Sequence, residues 1–143
     1  MSVVNKLVAK AGYRLRKEGC AARGVRATVG FVDGENFHIG KQFAPFWDSQ
    51  SFINHVRYLL TFCRWPSCPI YVAVAAFDLV KSSGEQISIL REVEKAKLLS
   101  RALDNINDEF GADTIYPASM FLGRESAPDR IPFGRPRYDI RHE

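Results

Sequence analysis

The sequence predicts an α+β fold: an antiparallel sheet backed by two helices, with one more helix C-terminal to it. Three observations carry this. Val25 to Asp33 alternates Val25, Ala27, Val29 and Phe31 with Arg26, Thr28, Gly30 and Val32, the period of a strand with one buried face. Asp33-Gly34-Glu35-Asn36 is turn chemistry that folds the chain back into a second run, Phe37 to Phe43, too soon for a parallel crossover. The pieces then follow in the order helix, strand, strand, helix, strand, which places two helices behind a sheet.

The first helix is expected from Val3 to Glu18. Val4, Leu7, Val8, Ala11 and Leu15 form its apolar face, and Gly19 closes it. Lys6, Lys10, Arg14 and Lys17 make a basic stripe beside that face, either solvated or attractive to phosphates. After the hairpin, Asp48 or Ser49 caps a second helix with Phe52, Val56, Leu59, Leu60 and Cys63 inward. Trp65-Pro66-Ser67-Cys68-Pro69 breaks it. Ile70 to Phe77 is a strand apolar on both faces, which predicts burial on both sides. Glu92 to Phe110 is the clearest helix in the chain, ended by Gly111. Thr114 to Phe121 is a candidate short strand interrupted by Pro117. From these boundaries we expect a domain over 1–82, a linker over 83–91, a helix and strand over 92–122, and an extended tail over 123–143.

Composition bounds the function. The 143 residues suit one domain, or a small domain with an extension, and 46% hydrophobic content supports a core. The net charge of +4 permits an anionic partner without requiring one. Cys20, Cys63 and Cys68 form an odd set with no CxxC, and no histidines stand at metal spacing. We therefore expect no metal, no cofactor and a reduced, cytoplasmic protein. No apolar stretch reaches membrane length, and Met1 to Lys10 does not read as a signal peptide.

One short stretch resists a purely structural reading. Gln86-Ile87-Ser88-Ile89-Leu90 follows the polar hinge Lys81-Ser82-Ser83-Gly84-Glu85. It is either an ordinary strand or an arm that docks in another protein's pocket, with Gln86 as the hydrogen-bonding group and Ile89 and Leu90 as the apolar plug.

Several segments stand in a co-linear order. Tyr13-Arg14-Leu15-Arg16-Lys17-Glu18-Gly19 leads into Val25-Arg26-Ala27-Thr28-Val29-Gly30-Phe31. The strand Ile70 to Phe77 follows with Asp78-Leu79-Val80. Next come the Gln86 pentapeptide and Arg101-Ala102-Leu103-Asp104-Asn105-Ile106-Asn107-Asp108-Glu109-Phe110-Gly111. Over roughly Val3 to Gly134 this set resembles the little finger domain of Y-family translesion DNA polymerases with its C-terminal extension. The resemblance implies a DNA-repair module that grips damaged primer–template through the backbone, without reading sequence. The matching residues are Arg23, Arg26, Thr28, His38, Lys41 and Gln42, with fewer charges on the return strand than family members often carry. It also implies that Gln86, Ile87, Ser88, Ile89 and Leu90 bind the bacterial sliding clamp. The family's commonest form there is Gln-Leu-Ser-Leu-Phe, so the plug here is smaller.

Two departures follow. The family's catalytic carboxylates lie in a palm that nothing here matches, so no catalytic residue is assigned, and polymerisation would need a catalytic portion elsewhere. The little finger has βαββαβ order, and its usual first strand is missing here. In the usual order that strand is central, which predicts a gap beside Ile70 to Phe77. A longer polymerase, the Thr114 to Phe121 segment or a second copy forming a homodimer by strand completion would fill it.

Two other functions are weighed. Phe31-Val32-Asp33-Gly34-Glu35-Asn36 also resembles the start of NYN/PIN-type ribonucleases, in which Asp33 and Asp78 would hold a divalent metal at strand ends. That fold needs a parallel sheet with a helix straight after Asn36, which Gly40 and Pro45 oppose. The other is a small protein-interaction module without a nucleic-acid role.

Overall fold

The computed structural model describes residues 1–81 and 91–123, the side chains of 91–93 excepted. Its elements run α1 (Ser2–Lys17), β1 (Cys20–Phe31), β2 (Asn36–Phe46), α2 (Ser49–Leu60), β3 (Pro69–Lys81), α3 (Arg91–Phe110) and a 3₁₀-helix (Ala118–Gly123). The strands form one antiparallel sheet in the order β2-β1-β3. This is the expected α+β architecture, a sheet with helices packed on it.

Local chemistry explains each element. Val4, Val8 and Leu15 are buried along one side of α1, and Gly19, at φ 62°, ends the helix in the left-handed region that glycine tolerates. At the hairpin tip the Asp33 carboxylate accepts a hydrogen bond from the Glu35 amide at 3.0 Å, and Gly34 sits at φ 87°. Asp48, itself buried, caps α2 by accepting from the Ser51 amide at 2.8 Å. Val25, Ala27, Val29 and Phe31 of β1 meet Phe52, Val56 and Leu59 of α2 and Val8 of α1 in one core. Val72, Val74 and Ala76 of β3 pack against its margin.

α3 lies outside that core and is tied on by polar groups. Arg16 of α1 reaches Asp104 with both Nε and Nη2, the latter at 2.8 Å. Its Nη1 donates to the Trp47 carbonyl at 3.1 Å and to Ser49 Oγ at 3.0 Å. Tyr13 donates to Asp108 at 2.6 Å, and Lys97 and Arg101 stack over the Trp47 ring.

Four expectations need correction. The return strand does not stop before Pro45; β2 runs to Phe46, because it is an edge strand where a missing N–H costs nothing. Ile70 to Phe77 is not buried on both sides. Among the described residues helices cover one face only, and Ile70, Tyr71 and Leu79 are exposed. The gap is not central, since β3 pairs directly with β1 from Cys20↔Lys81 to Phe31↔Pro69, and among the described residues the unpaired edge beside Ile70 to Phe77 is the outer one of β3. Thr114 to Phe121 is not a strand. Asn107 brackets Ile115 with two side-chain bonds of 2.9 Å that satisfy its backbone, and the chain then winds into the 3₁₀-helix. Asn5, buried in α1, holds that helix by donating to the Ser119 carbonyl at 3.2 Å.

Candidate nucleic-acid interface

Strand alternation decides which side chains share the uncovered sheet face. The register aligns Asn36, Gly30 and Tyr71 in one row, then His38, Thr28 and Ala73, then Gly40, Arg26 and Ala75, and finally Gln42, Gly24 and Phe77. The opposite parity carries the core residues, so these rows look away from the helices.

The two glycines of β1 shape that face. A Cβ on Gly30 would overlap the Tyr71 ring, and one on Gly24 the Phe77 ring, so each aromatic of β3 lies down across its glycine. Tyr71 then reaches across β1 to donate to Asn36 Oδ1 at 2.9 Å. Arg26 lies over Phe77, its guanidinium carbon 5.4 Å from the ring centroid, with Gly40 leaving room on the other side. No carboxylate among the described residues pairs with Arg26, and it is exposed. Beside it, Thr28 Oγ1 and His38 Nδ1 share a hydrogen bond of 3.1 Å. At the end of the face Asp78, at φ 53°, accepts from Arg23 at 2.8 Å and from Gln42 at 3.2 Å.

Arg23, Arg26, Thr28, His38 and Gln42 are therefore gathered on or at the end of one face. Lys41 is not. Paired with Val25, it has the parity of the covered face. It donates to the Tyr58 hydroxyl of α2 at 3.0 Å and sits over that ring. Asp78 also offsets Arg23, so Arg26 is the open face's unopposed cation. Tyr71 and Phe77 were missed as site residues. The signal that finds them is the glycine at every sixth position of β1, Gly24 and Gly30, which marks close approach from a neighbouring strand.

The basic stripe of α1 is divided, with Lys6 buried, Lys10 half-buried, and Arg14 and Lys17 exposed. Lys6 lies 3.7 Å from Asp113, while Arg16, beside the stripe, takes Asp104. α3 and the 3₁₀-helix border this side of α1, leaving a cleft of about 930 Å³ in which Tyr13, Arg14 and Lys17 face Asp104, Asp108 and Asp113. Hydrogen bonding to Asp108 raises the Tyr13 pKa.

The two aspartates of the nuclease reading do not converge. Asp33 belongs to the turn beyond the Phe31↔Pro69 end of the sheet, and Asp78 follows the Gly24↔Phe77 rung, roughly 25 Å away at strand rise. Among the described residues no three His, Cys, Asp or Glu side chains cluster as a metal site. Gln86, Ile87, Ser88, Ile89 and Leu90, the expected clamp-binding residues, lie outside the described residues, as does the tail after 123. No described helix is long and apolar enough to cross a membrane. Comparison with known proteins finds no matching family model, no matching curated protein and no matching solved structure.

Proposed function

We propose that the protein is a non-catalytic DNA-binding module that grips duplex backbone with the uncovered face of its sheet, in the manner of the little finger it resembles. The observation that carries this reading is the face itself. It is long and antiparallel, and among the described residues nothing covers it and no carboxylate pairs with the Arg26 that lies across it. Small residues around Arg26 (Gly40, Ala73, Ala75) let a phosphate backbone approach closely. A cation, a hydroxyl, an imidazole and an amide on such a surface position phosphates and leave sequence unread. In this reading Gln86 to Leu90 tethers the module to the bacterial sliding clamp. Any catalysis belongs to a polymerase portion elsewhere, and the protein works at damaged DNA on the nucleoid.

The test is anisotropy of a labelled primer–template duplex titrated across salt concentrations. Binding is expected to weaken linearly in log–log form as salt rises, and Arg26→Ala is expected to lower the slope by about 1. Arg23→Ala has a smaller effect, because Asp78 already offsets that charge, and Lys41→Ala the smallest, because it faces α2. Asp78→Asn, which frees Arg23, tightens binding. Salt-independent binding, or a Lys41 effect larger than that of Arg26, overturns the assignment of this face.

A further inference from the structure

The outer edge of β3 is left unused by the proposed grip. β1 takes one edge of β3, and no backbone group among the described residues bonds to the other. Open edges template association with other strands, and folded proteins blunt them with charges, proline or bulges. The opposite edge of this sheet is blunted in that way, since β2 carries Lys41 and Pro45. β3 has no such device from Ile70 to Phe77, which reads Ile-Tyr-Val-Ala-Val-Ala-Ala-Phe. The first charge is Asp78, whose left-handed backbone interrupts the extended geometry, although pairing with β1 resumes to Lys81.

We infer that β3 pairs antiparallel with β3 of a second copy, about a two-fold axis through Val74. The strand is self-complementary in that register. On the open face, Tyr71 stands opposite the partner's Phe77 and Ala73 opposite the partner's Ala75. On the covered face, Val72 meets the partner's Ala76 and Val74 meets its own copy. The central rungs are small, and the Tyr71 and Phe77 rings that flank them lean away over β1, which leaves the seam clear for backbone pairing. The contact is isologous, so it closes at two copies and does not propagate.

α1 leaves room for it. α1 lies over both β1 and β3. Placed midway between them, it stands about half a strand spacing inside the edge. Two copies of α1 are then separated by about two strand spacings, roughly 10 Å, which is an ordinary interaxial distance. No charge lies between Ile70 and Phe77, so no like charges are forced together along the seam. Pairing joins two open faces into one continuous surface carrying Arg26 twice.

The test uses a charge swap that reads this register alone. Ala73 and Ala75 are both exposed, so charged side chains there leave the single copy intact, as circular dichroism checks. Light scattering on the unmodified chain at tens of micromolar is expected to give twice 16.2 kDa. In the double variant Ala73→Glu with Ala75→Glu, two Glu–Glu rungs face each other across the seam, and the dissociation constant is expected to rise about tenfold or more. In Ala73→Lys with Ala75→Glu the rungs become Lys–Glu, and the dimer is retained. An unmodified chain that stays monomeric overturns the inference. So does a Glu–Glu variant that stays dimeric, or a Lys–Glu variant that dissociates as readily as the Glu–Glu one. None of these outcomes bears on salt-dependent DNA binding by the single copy.

Discussion

Arg16 joins three separate parts of the described structure. Its guanidinium spends its donors on Asp104, the Trp47 carbonyl and Ser49, so one side chain ties α1 to the start of α2 and to α3. Its side chain is 8% exposed and that of Asp104 19%. Arg16→Ala should therefore cost about 2–4 kcal/mol, measured by urea unfolding, because it strands a partly buried carboxylate and two other acceptors. Arg16→Lys should not restore the loss, since an ammonium cannot match the two-pronged contact. His55 provides the pH dependence. Its ring stacks on Phe43 at 3.9 Å between centroids, and burial lowers its pKa, outweighing the opposing pull of Asp48. The unfolded chain therefore takes up this proton more readily than the folded one. The contribution of His55 is fully present above the unfolded pKa of about 6.5 and is lost as pH falls from there to the lower folded value. His55→Phe, which keeps the stack, should lose less melting temperature than the parent chain between neutral and mildly acidic pH.

At the scale of elements, β1 is the strand on which both neighbours register. Its glycines at 24 and 30 are what let Phe77 and Tyr71 lie flat, while the bulge opposite Ala22 to Gly24 is taken up by β2. Gly30→Val should destabilise by about 1–3 kcal/mol in thermal or urea unfolding, by forcing the Tyr71 ring off the sheet and breaking its bond to Asn36. The strands and helices were legible because their spacing is local: Val25 to Phe31 alternates, and α2 announces itself with Asp48. The burial of β3 was misread because Ile70 to Phe77 is apolar at both parities, and such a run looks the same whether it has two covered faces or one. Its bare side is uncovered because α1 and α2 both pack on the other side. Thr114 to Phe121 was misread for a related reason. The side chain of Asn107 bonds Ile115 as a neighbouring strand would, and no propensity scale shows that.

At the scale of the whole molecule, the proposed grip and tether are separate devices. The grip is assigned to the bare sheet face, and the tether to residues 86–90, which follow β3 in the sequence. Gln86→Ala with Leu90→Ala should abolish clamp pull-down and leave duplex binding unchanged; pull-down that survives removes the tether assignment. If both operate, linkage in one chain would let the two contacts act together through local concentration. The candidate face was legible only in part. Arg26, Thr28 and His38 fall on one parity of a hairpin readable in the sequence. Lys41 was assigned to it although its parity is that of Val25, and Asp78 gave no sign that it would cap Arg23.

The linear chain by itself determined the helices, the hairpin and the antiparallel sense of β1 and β2, because each depends on residues a few positions apart: a turn at Asp33-Gly34, a cap at Asp48, a two-residue period. Only the tertiary structure decided that β3 joins β1, that one sheet face stays bare, and that the acids of α3 face the basic side of α1. Those outcomes turn on which surfaces meet across long separations in sequence. Such meetings are settled by shape, charge and the desolvation of whole faces, and no local spacing encodes them.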